Sequence, residues 1–196
     1  MTTYRTTTVT PHSLIAERRS PRAFDPSRPV DDAAVFALLE AARWAPSAFN
    51  AQPWRFIVGR KGDETYGRIL DTLMDSNRIW AQNAPLLILA VAQERGEHGE
   101  MRYAWHDMGL ATAQLMLQAV ALGLFTHVMA GFSKDAARAA FAIPDDFSPV
   151  TVIAAGYLGD AADLPEALRE REDAPRSRRP LSETAFREVW GRPLEG

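Results

Sequence analysis

Pro85-Leu86-Leu87-Ile88-Leu89-Ala90-Val91 is a run of seven residues without a polar side chain. A continuous apolar run of this length suits a central strand buried on both faces, and such a strand requires helices on both sides of its sheet. Working outward, Trp54 to Gly59 reads as a strand that ends in the turn-like Arg60-Lys61-Gly62-Asp63. Phe125 to Met129 is a short strand, and Val150 to Leu158 is the last clear one. Helical periodicity fills the intervals. Ser13 to Arg19 is a short helix, opened by Pro11 as an early residue. Val30-Asp31-Asp32 caps a second helix with Val35, Phe36, Leu38, Leu39 and Ala42 at helical spacing, and Pro46 stops it.

The remaining elements follow in the same way. Thr65 to about Ser76 is one helix, Gln93 to Gly99 an acidic loop, and Tyr103 to Leu122 the longest helix. That helix is apolar over much of its circumference, so deep burial is expected; Gly123 is its stop. Ser133 N-caps the helix Lys134 to Phe141. From Asp160 onward the chain is charged and punctuated by proline. Too few apolar residues remain there to pack alone, so this tail drapes over its own subunit or reaches across a dimer.

Composition bounds the function. At 196 residues, 46% hydrophobic and 24% charged, the chain has the make-up of one ordinary globular domain. A net charge of −3 gives no footprint of a nucleic-acid binder. The lack of cysteine removes disulfides, thiol nucleophiles, iron–sulfur clusters and thiolate zinc sites together. His12, His98, His106 and His127 form no metal-binding spacing, so no metal is expected. Met1 to Thr10 is polar, and no apolar run is long enough to span a bilayer, so the expected location is the cytoplasm and no membrane partner is foreseen.

Two segments hold groups suited to a ligand. Arg18-Arg19-Ser20-Pro21-Arg22 offers guanidinium forks and a hydroxyl, a match for a phosphate monoester; it reads equally as a solvated basic patch at a helix end. Arg176-Ser177-Arg178-Arg179 is a second such knot, with a flexible basic tail as its plain reading. Between Pro46 and Trp54, Asn50 and Gln52 carry paired donor–acceptor amides that suit the imide edge of a flavin. Trp44 and Trp54 read as core residues. No Gly-rich dinucleotide fingerprint or P-loop is present.

The ordered set resembles the FMN-dependent nitroreductase family: Arg18-Arg19-Ser20-x-Arg22-x-Phe24, then Ala45-Pro46-Ser47-x-x-Asn50-x-Gln52-Pro53-Trp54. Ala84-Pro85, Asp107-x-Gly109-x-Ala111, Leu122-Gly123-Leu124, Gly131-Phe132 and Arg178-Arg179-Pro180-Leu181 extend the match over nearly the whole chain. The resemblance implies an α+β fold: a three-layer α/β/α domain spanning 1–196, with a mixed central sheet flanked by helices. About 160–196 would form an extension over a dimer partner. It further implies a homodimer with two FMN sites at the interface, and NAD(P)H as a transient reductant. Arg18, Arg19, Ser20, Arg176, Arg178 and Arg179 would serve the phosphate, and Arg22 the N1–C2 edge of the ring. Pro46, Ser47, Ala48, Asn50 and Gln52 would come from the other subunit. Asn77 would touch the ribityl chain or ring, and Val128, Met129, Ala130 and Gly131 would face the reactive side near N5.

The activity implied is ping-pong hydride transfer from NAD(P)H through flavin N5 to a small electron-poor acceptor, such as a nitroaromatic or quinone. A specialised relative (an aldehyde or enal reductase, a reductive dehalogenase or a flavin-fragmenting enzyme) stays open, as does a non-catalytic anion-binding dimer. The departures from the family's pattern, among them Ala48 in place of a second serine and Ala130 in place of an acidic residue, bear on the acceptor and nicotinamide contacts. His106 beside Asp107 is either a proton donor or a structural hydrogen bond at the start of the long helix.

Overall fold

The computed structural model describes residues 10–97 and 99–194; the polar start of the chain, His98 and the last two residues lie outside them. Four strands form the main sheet: β1 (Trp54–Arg60), β2 (Leu86–Gln93), β5 (Phe125–Met129) and β6 (Phe147–Gly156), in the order β1-β2-β6-β5. A two-residue hairpin, β3 (Arg95–Gly96) and β4 (Gly99–Glu100), stands where a loop was expected. Six helices are α1 (Ser13–Glu17), α2 (Asp32–Arg43), α3 (Glu64–Thr72), α4 (Asp75–Ala81), α5 (Ala104–Ala121) and α6 (Lys134–Phe141), and α7 (Glu166–Asp173) follows in the tail.

The apolar run lies inside the sheet as its composition requires. Leu86, Ile88, Ala90 and Ala92 pack with Leu38, Ala42, Met108 and Leu115 of α2 and α5. Leu87, Leu89 and Val91 face the other way, against Tyr66, Ile69, Trp80 and Ala137 of α3, α4 and α6. The fold is therefore α+β in three layers. One detail differs from expectation: each pairing in the four-stranded sheet is antiparallel. The crossover through α5 does set β2 and β5 in the same direction, but β6 lies between them, so they never become a parallel pair.

Local signals set most boundaries. Asp31 caps α2 by accepting the Ala34 amide at 2.7 Å, and Ser133 caps α6 by accepting that of Ala136 at 3.1 Å. Pro11 stays outside α1, whose cap is the His12 side chain. At the end of α5, Gly123 has φ +72°; its amide bonds Val120 O and the Leu124 amide bonds Ala119 O, a Schellman ending.

The structure departs from expectation at three points. The helix expected over 65–76 breaks at Leu73 and Met74, which are extended: Leu73 bridges to Phe132, and the Met74 amide donates to Gly131 O at 3.1 Å. Asn77 therefore stands on a separate helix, α4. Trp44 is not in the core; it is exposed, with Nε1 donating to Glu40 at 2.8 Å, while Trp54 is buried as expected. The first part of the tail drapes over its own chain, one of the two alternatives expected, through buried Leu164 and through Leu168 beside the core. Finally, α5 buries one side (Ala104, Asp107, Met108, Ala111, Thr112, Leu115, Ala119, Val120), while Trp105, Ala113 and Ala121 are exposed.

His127 of β5 anchors the arginine segment to the sheet. Its Nδ1 lies 2.9 Å from Pro21 O, and a carbonyl only accepts, so Nδ1 carries the proton. The ring stacks near Trp80, with centroids 4.5 Å apart. Burial is the main cause that pushes the His127 pKa below its ordinary 6.5; the hydrogen bond to Pro21 opposes it and the Arg22 charge adds to it.

Two outcomes are expected. A Cβ on Gly59 would lie 2.5 Å from the Tyr66 backbone, where β1 meets α3. Gly59→Ala should therefore lower stability by about 1–3 kcal/mol in urea unfolding, the usual cost of overpacking. For His127, the unfolded chain takes up a proton below its ordinary pKa while the folded chain resists it. Stability should fall as pH drops below 6.5, by at most about 1.4 kcal/mol per pH unit from this group. Urea midpoints at stepped pH should show that slope flattened in His127→Gln.

Candidate functional site

The arginine half is built at the end of α1. The last carbonyls of so short a helix lack intrahelical partners, and the tail supplies them: Arg176 donates to Arg18 O at 2.6 Å and to Ala16 O. This clasp spans 158 positions and brings Arg176 and Arg178 beside Arg18. Arg18 Nη1 lies 3.4 Å from Ser20 Oγ. Burial, then the charges of Arg178 and Arg176, push the Arg18 pKa below its ordinary value. Among the described residues, no carboxylate pairs with Arg18, Arg176, Arg178 or Arg179. Concentrated cationic charge of this kind is chemically suited to an anion.

The neighbouring arginines differ. Arg19 lies over the Phe125 ring, 5.7 Å from its centroid. The Arg22 amide donates to Glu172 of α7 at 2.8 Å, which ties the tail to the start of the sheet. At the exit of β5, Asn77 Nδ2 donates to Gly131 O at 3.0 Å. A Cβ on Gly131 would lie 2.6 Å from that nitrogen, so the contact requires glycine there. Asn77 and Gly131 thus come together at the exit of β5, the strand that holds Pro21.

The loop half is separate. Ser47 accepts the Gln52 amide on its Oγ at 3.0 Å, Asn50 N bonds Ser47 O at 3.0 Å, and the Gln52 side chain donates to Asn50 O at 3.2 Å. Phe49, Asn50 and Gln52 have φ of 53°, 55° and 47°, left-handed values that cost Phe and Gln on the order of 1 kcal/mol or more each. The turn aims the Asn50 side chain outward, exposed and without a hydrogen-bond partner among the described residues. Beside the turn is a cavity of 380 Å³ lined by Pro46, Ser47, Ala48, Tyr103, His106, Asp107 and Leu110.

The two halves do not meet within one chain. The loop enters β1 at Trp54, level with Ala92 and, through it, Ser148; His127, which holds the arginine segment, is level with Ala154 on β6. At about 4.8 Å per strand and 3.3 Å per residue, that is roughly 14 Å across the sheet and about 20 Å along it. Sequence reasoning assigned no role to Asp107 or Glu172. Asp107 had a visible signal, since it interrupts the apolar stripe of α5; Glu172, 150 positions from Arg22, had none.

Among the described residues, no helix is long and apolar enough to cross a membrane, and no three His, Asp or Glu side chains gather to hold a metal ion. The chain is similar to several known proteins. A 15.4 kDa uncharacterized protein of Mycolicibacterium smegmatis, named for the ask 5' region, is 43% identical over 148 residues, 71% of this chain and 99% of that one. A Bacillus subtilis protein provisionally named NAD(P)H nitroreductase YodC is 27% identical, over 73% of this chain and 87% of its own. A crystal structure described as an oxidoreductase containing FMN superposes with a TM-score of 0.88 at 37% identity, covering 95% of this chain and 96% of that one. The model of the nitroreductase family matches residues 15–82 and 67–157, and the chain belongs to that family.

Proposed function

We propose that this chain is an FMN-dependent oxidoreductase that takes electrons from NAD(P)H and passes them to a small electron-poor acceptor, a nitroaromatic or a quinone. The observation that carries this reading is the gathering of Arg18, Arg176 and Arg178 without a carboxylate partner among the described residues. A phosphate monoester, with a charge near −2 and three acceptor oxygens, fits that set. Arg18, Ser20 and Arg178 hold the phosphate, with Arg176 and Arg179 adding charge and Arg19 flanking them. Asn77 and the Val128, Met129, Ala130 and Gly131 backbone lie along the ribityl chain and ring.

A second copy of the chain completes the site. Its Pro46, Ser47, Ala48, Asn50 and Gln52 serve the ring edge, because the loop half lies too far from the arginine half of its own chain. The outward apolar side of α5, with exposed Trp44, Phe49 and Trp190, supplies surface for that contact. The segment from about 160 onward extends over the partner.

Bound FMN supplies the redox chemistry, accepting two electrons from the nicotinamide and delivering them to the acceptor. The protein positions and polarises. Arg22 stabilises negative charge at the ring edge as a fixed cation. The loop amides orient the ring, and the apolar wall of Pro46 and Leu110 keeps water away. No side chain need act as a nucleophile.

The test is the absorbance spectrum of the purified protein, followed by NADH and NADPH oxidation with a panel of acceptors. Flavin bands and acceptor-dependent oxidation are expected; colourless protein that binds no added FMN and oxidises neither nicotinamide overturns the reading. Arg18→Ala should weaken FMN binding by about 1.5–3 kcal/mol, the worth of a charged hydrogen bond, measured by titration of the apoprotein. In heterodimers that pair an Arg18→Ala subunit with an Asn50→Ala subunit, a shared site leaves one of the two sites intact. Recovery of FMN binding at about half the sites is expected; no recovery counts against sharing.

A further inference from the structure

Asp107 is a carboxylate set into the buried stripe of α5, between Ala104 and Met108 on one side and Ala111 on the other, and it is 3% exposed. Burial of a carboxylate is unfavourable unless both oxygens find partners. Here both do. Oδ2 accepts the Ala48 amide at 3.0 Å, and Oδ1 faces His106 Nδ1 at 3.1 Å. The first bond joins α5 to the loop across 59 positions. The second holds an exposed imidazole that lines the same 380 Å³ cavity.

The loop needs such a tie. Over 47–52 its hydrogen bonds are otherwise internal or run to Arg55, and the next bond to the rest of the chain is at Pro53, whose carbonyl accepts the Gln93 amide at 2.8 Å; three of its residues hold left-handed conformations that the local chain alone does not favour. Strained backbone persists only where surrounding structure over-determines it. Among the described residues, Asp107 is the one buried charged group that bonds the loop.

We propose that Asp107 is the positioning residue of the ring-edge loop: its buried carboxylate, acting through the Ala48 amide, holds the Ser47–Gln52 turn in the shape that presents Asn50 outward. This rests on the reading of that loop as a flavin contact. The same carboxylate orients His106, so the loop and the imidazole that line the cavity are tied to one group.

The experiment compares four variants of the full-length protein with wild type. Asp107→Ala removes the acceptor and Asp107→Asn keeps a neutral one. Ala48→Pro removes the donor and leaves the carboxylate, at the first residue of a short helical turn where proline is tolerated and after a Ser47 that is already extended. Met108→Ala truncates the next buried residue of α5 and leaves the Ala48 bond in place. The readouts are FMN Kd from fluorescence titration of apoprotein, the visible spectrum of bound FMN, and the Tm of apoprotein.

Asp107→Ala and Ala48→Pro are expected to raise the FMN Kd roughly ten- to hundredfold and to shift the flavin bands, with Asp107→Asn recovering to within about fivefold of wild type. Met108→Ala should lower the apoprotein Tm yet leave the Kd within about twofold, because it removes packing and no loop bond. Should Asp107→Ala fail to fold, Ala48→Pro carries the same comparison from the other end of the bond. A wild-type Kd in Ala48→Pro or in folded Asp107→Ala overturns the inference. So does a Met108→Ala that weakens FMN as much, or an Asp107→Asn no better than Ala. Wild-type protein that binds no FMN overturns the underlying reading as well; wild type that binds with all variants unaffected overturns this inference alone.

Discussion

From Leu86 to Ala92 every side chain of β2 is out of water, and it alternates between two separate cores. A strand with no polar side forces a layer of helices onto each face, and the remaining elements take their places from that requirement. α2 and α5 cover one face; α3, α4 and α6 cover the other. Because β2 and β6 occupy the middle, β1 and β5 become the edges. Each edge then receives one of the two polar segments, the loop at β1 and the arginine cluster at β5. Their separation is thus a consequence of strand order.

The second constraint is electrostatic. Guanidinium groups repel one another, and Arg18, whose pKa is lowered first by burial and then by the charges of Arg178 and Arg176, sits among them. Something must hold them close. Arg176 does so by spending its donors on the unpaired carbonyls at the end of α1, and the bond from the Arg22 amide to Glu172 adds a second tie to the tail. The tail thereby contributes charge and geometry at once, at little expense of apolar surface. On the opposite edge, backbone strain at Phe49, Asn50 and Gln52 is held by Ser47 within the loop and by Asp107 beneath it.

Legibility in the sequence followed the range of the interactions. α6 was readable residue by residue, since Ser133 caps it locally and Ala142 closes it within one turn. The Gly123 stop was readable for the same reason. The break between α3 and α4 was not: no proline or glycine marks it, and it exists because Leu73 and Met74 bond to the chain at Phe132 and Gly131. Trp44 misled because an indole is usually buried, whereas here it lies over the end of α2 and bonds Glu40 one turn back.

The amino-acid sequence by itself determined the buried strand, the helix caps, the absence of thiol chemistry and the two clusters of ligand-suited groups, because periodicity, side-chain chemistry and turn preferences act within a few residues. Tertiary structure decided which of those groups meet. It placed Arg176 and Arg178 beside Arg18, brought Asn77 to Gly131, set Asp107 under Ala48, and kept the loop half away from the arginine half of its own chain. Those outcomes depend on strand order and on hydrogen bonds between residues tens to more than a hundred positions apart, and no local pattern encodes them.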